Sequence, residues 1–182
     1  MNFNYIFSLI GEQMRFILFF IALTLLSGCA STYKNTPLTK TNSKLERGTP
    51  VLIATPANGH FGDTVYANSG KMTALAVRGA FAQFAATTSV NSGCEKLECL
   101  EQSHAGGSIY YVVPEILHWE DRATEWSGRP DRIEVKLSVF DAVGQELAST
   151  IFMGKSKWAT FGGDHPQDLL TEPLNQYVET LY

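Results

Sequence analysis

The sequence predicts a mixed α/β (α+β) domain: a sheet of about five strands with helices packed on it, in the order β-α-β-α-β-β-β-α. Three observations predict it. Two short strand-like stretches, the β-branched run VLIAT at 51–55 and TTSV at 87–90, are each followed by a helical pattern, as in βα units. After residue 108 the pattern changes to long extended runs joined by turns, the mark of an antiparallel meander. The last stretch returns to helical spacing.

Each element has a local reason. Val51–Thr55 is β-branched and closed by Pro56, which reads as a buried strand. PANGHFGDTVYANSG, at 56–70, is dense in Gly and Asn and reads as a loop. Ser69 is placed to cap a helix running to about Ala85, with Leu75, Val77, Ala80, Phe81 and Phe84 as its apolar stripe. After the second strand, a loop with Cys94 leads into a short helix at about Leu97–Ser103, ended by Gly106 and Gly107. SIYYVVPEILHW, at 108–119, reads as the central strand, in which Pro114 demands a bulge or an unpaired amide. Arg132–Val139 alternates polar and apolar, so one face is buried and one is wet. Asp141–Gly144 is a hairpin turn into a partner strand from about Glu146 to Trp158. Asp164 opens a helical segment and Pro173 restarts it, with Leu174, Tyr177, Val178 and Leu181 on one face.

The chain up to Pro50 is an address and its tether. Phe16–Leu26 is apolar and preceded by Arg15. A run of about 10–14 residues is short for a bilayer span, which needs roughly 20, and matches the apolar region of a secretory signal. Leu26-Ser27-Gly28-Cys29 looks like the lipobox of bacterial lipoproteins. That resemblance implies cleavage before Cys29 and acylation of the cysteine. The segment before Met14 has no Lys or Arg and carries Glu12, so Met14 is the expected biological start. The domain plan is therefore 1–28 signal peptide, 29–50 lipidated cysteine and flexible tether, and 51–182 one periplasmic α/β domain. Ala30 and Ser31 follow the cysteine where an inner-membrane protein of this class usually has Asp. The resemblance therefore implies sorting to the outer membrane, with the protein anchored by lipid on its periplasmic face. The polar stretch up to Pro50, rich in Thr, Ser, Asn and Lys, reads as the tether.

Charge removes one class of partner. The formal net charge is −4 with no basic run, so nucleic acid, which is bound by neutralising phosphates, is not expected. Cys94 and Cys99 remain as an even pair in an oxidising compartment, where a disulfide is the expected state. Residues five apart on one regular helix are too far apart to bridge, so Cys94 should precede the helix that carries Cys99. A two-thiolate metal site would need further ligands, and His60, His104, His118 and His165 are scattered. No metal or cofactor is expected. GxSxG, P-loop and GxGxxG patterns are absent from the sequence, and the chain is not expected to be an enzyme.

Four stretches resemble a known family: YANSGKM (66–72), CEKLECL (94–100), PEILHWEDRATEWSGRPDRIEV (114–135) and HPQDLLTEPLNQYV (165–178). They are similar to proteobacterial lipoproteins known only as a domain of unknown function. At fold level the domain also looks like the periplasmic α/β module of the curli-export lipoprotein and of the amino-terminal domain of the Tol translocation protein. The resemblance implies assembly or protein contacts and carries over no activity.

Two stretches are candidate sites. His118–Arg132 gathers two Trp, three Arg, two Glu, two Asp and a His. Trp119, Arg122, Trp126 and Arg129 make it a possible binding surface, since Trp and Arg are common interface anchors. The same residues also fit a loop held rigid by its own ion pairs. Ala57–Asp63 follows the first strand, where α/β sheets often take ligands, although turns explain its glycines as well. Two functions stand: a non-catalytic envelope protein acting by contacts with other envelope proteins or as a homo-oligomer, and a small-ligand-binding module.

Overall fold

The computed structural model describes residues 31–182 other than 42, 105, 123–128 and 158–164. Cys29, Trp126, Asp164 and the signal segment lie outside the described residues. Six strands form one sheet: β1 (Thr32–Thr39), β2 (Val51–Ala54), β5 (Thr88–Asn91), β6 (Tyr110–Glu120), β7 (Arg132–Phe140) and β8 (Glu146–Lys155). Their spatial order is β1-β8-β7-β6-β2-β5. β3 (His60–Phe61) and β4 (Thr64–Val65) make a separate two-stranded ribbon. The helices are α1 (Ser69–Phe81), α2 (Leu97–Ser103) and α3 (Thr171–Leu181), the last entered through a 3-10 turn at Pro166–Leu169. β2 runs parallel to β5 and β6, and β6, β7 and β8 form the antiparallel meander. The expected mixed α/β class and element order hold, with the ribbon and one sheet strand added.

The added sheet strand corrects the tether. Thr32–Thr39 pairs antiparallel with β8 from Thr32 opposite Lys155 to Thr39 opposite Ser149. Leu45 is 5% exposed, and its N–H donates to the Leu181 carbonyl at 2.8 Å. Most β1 side chains are exposed, so the strand is held by its backbone ladder and reads as linker by composition. Its Lys34 and Pro37 are features that discourage another strand from adding to such an edge.

Alternation along the strands gives the sheet two apolar faces. Val51, Ile53, Val112, Val135, Leu137 and Phe152 face the main core, where α1 brings Val77 and Phe81 and α3 brings Leu174 and Val178. Leu52, Tyr111 and Phe140 face the other way and meet Leu97 and Leu100 of α2. That short helix packs against β2 and β6. Beyond it, the same face of β7, β8 and β1 carries exposed Arg132, Lys155, Met153 and Lys34.

Pro114 takes the second of its two options. The Tyr110 amide donates to Pro50 on the β2 side at 2.9 Å, so by alternation the position-114 amide would point that way too. Pairing with β2 ends at Val112, so no ladder bond is lost there. The irregularity lies further on, between Ile116 and His118. It reverses the side-chain parity of β6: Ile116 and Trp119 both face the main core.

The loop after β2 is fixed by close contacts. Ser69 begins α1 but does not cap it with its side chain; the cap position is Asn68, in left-handed conformation at φ 68°. The Ser69 hydroxyl donates to the Tyr66 carbonyl (2.7 Å) and accepts the Gly59 amide (2.8 Å). Gly70 donates its amide to Asn58 Oδ1 (3.1 Å) and has no room for a Cβ against the Pro56 carbonyl. Cys94 precedes α2 and Cys99 lies within it, at disulfide distance with Cα atoms 5.4 Å apart.

Candidate functional site

The His118–Arg132 block divides at the sheet surface. Trp119, expected on a binding surface, is 1% exposed and belongs to the core. The irregularity in β6 turns it inward, and Gly59 leaves the space it fills. His118 and Glu120 therefore point to the opposite face. Glu120 is also 1% exposed, and its carboxylate is paired with the Arg122 guanidinium. His118 Nε2 stands 3.4 Å from the second Glu120 oxygen.

Asp131 closes the base of the loop. Its carboxylate accepts the Arg122 backbone amide at 2.6 Å. Its own amide donates to the Ser156 hydroxyl (2.9 Å), and the Ser156 amide returns a bond to its carbonyl (3.0 Å). The ribbon packs on top: the Arg122 guanidinium lies 5.5 Å over the Phe61 ring, and the His118 ring meets Phe61 edge-on at 5.3 Å. These groups satisfy one another, as a buried polar network must. The rigid-loop reading therefore describes Trp119, Glu120, Arg122 and Asp131. Of the four candidate surface residues, Arg129 is exposed and Trp126 lies outside the described residues.

Three clefts are lined by described residues. One, of about 470 Å³, lies on the sheet face that no described helix covers and is lined by Thr32, Lys34, His118, Arg132, Glu134, Met153 and Lys155 among others. A second, of about 360 Å³, lies beyond the end of β2, with Asn58, His60, Glu95, Lys96 and Glu115. It includes part of the Ala57–Asp63 turn, whose Gly59 is accounted for by Trp119 and whose Gly62 takes the positive φ of the ribbon turn. The third, of about 300 Å³, lies between β1 and α3 and is lined in part by Tyr33, Asn35 and Tyr177. Among the described residues no three His, Cys, Asp or Glu side chains stand together as a metal site would need, and no helix is long and apolar enough to cross a membrane.

Sequence reasoning missed the first cleft. The wet face of β7 was legible, but Lys34 joins it only through β1, which composition disguised.

Residues 43–181 match the family described as Domain of unknown function (DUF4823). The chain belongs to that family. The match begins after β1, so the edge strand lies outside it. No curated protein matches the chain in sequence. Among solved structures it is similar to the PelC dodecamer from Paraburkholderia phytofirmans, at 16% identity and a TM-score of 0.60, covering 83% of this chain and 96% of that one. A point variant of the same dodecamer gives 15% identity and 0.60, over 83% and 97%. Protein XCC0632 from Xanthomonas campestris, of the DUF330 family, gives 15% identity and 0.51, over 79% and 90%. At these identities the likeness is one of fold.

Proposed function

We propose that the chain is a lipid-anchored envelope lipoprotein on the periplasmic face of the outer membrane, and that it acts without catalysis, through contacts with other proteins and with copies of itself. One observation carries the self-association: the fold is shared, over 96% of the other chain, with a protein that assembles as a dodecamer. The lipobox supports the anchor, and Ala30 and Ser31 after the cysteine support outer-membrane sorting. The mutual satisfaction of Glu120, Arg122 and Asp131 supports a structural role for the charged block.

In-cell crosslinking of the wild-type protein, followed by capture and mass analysis, tests the reading. Crosslinked copies of the chain in the membrane fraction are expected. Recovery of monomer alone, with no partner protein reproducibly attached, contradicts it. Cys29→Ala should release the protein from the membrane or stall its processing; normal retention and maturation contradict the anchor.

The small-ligand reading is favoured by the second cleft, which lies beyond the carboxyl ends of β2 and β5, where open α/β sheets take ligands. A ligand there would shift the resonances of Asn58 and Glu115 in a metabolite screen by NMR. The absence of any such shift removes this alternative.

A further inference from the structure

Three cations stand together on the face of β1, β7 and β8 that no described helix covers. Arg132 and Lys155 are directly opposite each other in the β7–β8 ladder, a position in which like charges repel. Lys34 lies in the next row, opposite Met153. All three are exposed, and among the described residues none makes an ion pair. They line the groove of about 470 Å³ with Glu134 as its carboxylate. Three cations less one carboxylate leave two positive charges there, on a chain whose net charge is −4. Glu120, opposite Arg132 in the β6–β7 ladder, is taken by Arg122, so the repulsion among the three cations is left for an outside anion to relieve.

The position of β1 says where the anion comes from. β1 begins at Thr32, three residues after Cys29. Three residues of chain span at most about 10 Å. A lipid on Cys29 therefore holds the start of β1 next to the headgroups, within reach of their field, which decays over roughly 8 Å at physiological salt. A 20-residue tether would not do this; an ordered strand does.

We propose that this face is the surface on which the domain lies against its membrane, and that Lys34, Arg132 and Lys155 bind the phosphates of anionic phospholipid headgroups. The proposal rests on the acylated Cys29 of the preceding reading.

The test uses the mature acylated protein in vesicles of phosphatidylcholine alone or of phosphatidylcholine with phosphatidylglycerol. Lysines are labelled with an amine-reactive reagent and mapped by mass spectrometry. Labelling of Lys34 and Lys155 should fall several-fold in the anionic vesicles and recover in high salt, with Lys71 on α1 unchanged. Arg132→Ala should weaken the protection of Lys34 while the circular dichroism spectrum stays that of the wild type. Equal labelling in both vesicles overturns the proposal, as does protection that ignores lipid charge and salt. Equal protection by soluble glycerol phosphate, in detergent without vesicles, moves the ligand off the membrane and also overturns it. The intact mass of the same sample reports on the anchor separately. If Cys29 carries no acyl chain, the anchor reading fails. Sedimentation of the unacylated chain with phosphatidylglycerol vesicles then decides the face: salt-sensitive binding supports it and no binding overturns it.

Discussion

Gly59 lies flush against Trp119: a Cβ at position 59 would stand 2.5 Å from the Trp119 Cβ and 2.7 Å from Ile116 Cγ2. This contact joins the loop after β2 to the irregular part of β6. It places Trp119 in the core and so commits His118 and Glu120 to the other face.

Gly59→Ala should therefore destabilise the domain by about 1–3 kcal/mol through overpacking. Trp119→Ala should cost about 3–5 kcal/mol through the cavity it leaves. Denaturant unfolding measures both. A neutral Gly59→Ala would mean that the loop is free to move away from β6.

Arg122→Ala leaves the buried Glu120 carboxylate without its guanidinium. Breaking a fully buried pair costs about 3–5 kcal/mol, and the Arg122 side chain is 25% exposed, so a loss of about 2 kcal/mol is expected. In that background Glu120→Gln should cost less than it does in the wild type. A double-mutant cycle reads this difference, and strict additivity would show that the pair is uncoupled.

The Tyr177 hydroxyl is buried without a hydrogen-bond partner among the described residues. Burial pushes its pKa up to about 12, with Glu146 adding to the shift. Below pH 10 the folded and unfolded chains both hold this proton. From 10 to about 12 the unfolded chain releases it first, so stability falls as the pH rises. Tyr177→Phe should match or exceed wild-type stability at pH 7 and lose less of it at pH 11. Thermal melts at the two values check this; a Phe variant clearly weaker at pH 7 would reveal a partner for the hydroxyl.

Glu146 titrates on the acid side. A hydrogen bond from the Thr39 hydroxyl of β1 lowers its pKa most, burial opposes this, and Ser149 and Lys136 also lower it. A depressed folded pKa gives stability that is present above the ordinary carboxylate range and lost as the pH falls through the folded value. Thr39→Val should weaken the protein at neutral pH, and the deficit should shrink on acidification. Unfolding curves at pH 7 and pH 3 measure it. A constant deficit would show that Thr39 acts by packing alone.

Much of this fold was legible because periodicity reports burial. The alternation of Arg132–Val139 and the stripe Leu174, Tyr177, Val178 and Leu181 both describe real faces. The cysteine geometry was readable from helix dimensions. β1 was not, because an exposed edge strand buries few side chains and is held by backbone bonds that leave little trace in composition. The inward turn of Trp119 was hidden for a related reason. It depends on one extra residue at Leu117 in β6, and a period-two pattern cannot show where such a residue falls. The cation face needed β1 and its register with β8 before Lys34, Lys155 and Arg132 came together.

Native mass spectrometry of the protein, extracted from membranes in mild detergent, reads self-association and acylation of Cys29 in one measurement. A closed assembly of several copies is expected, each carrying acyl chains on Cys29. A monomer with an unmodified cysteine, at concentrations where the extracted protein remains folded, would contradict it.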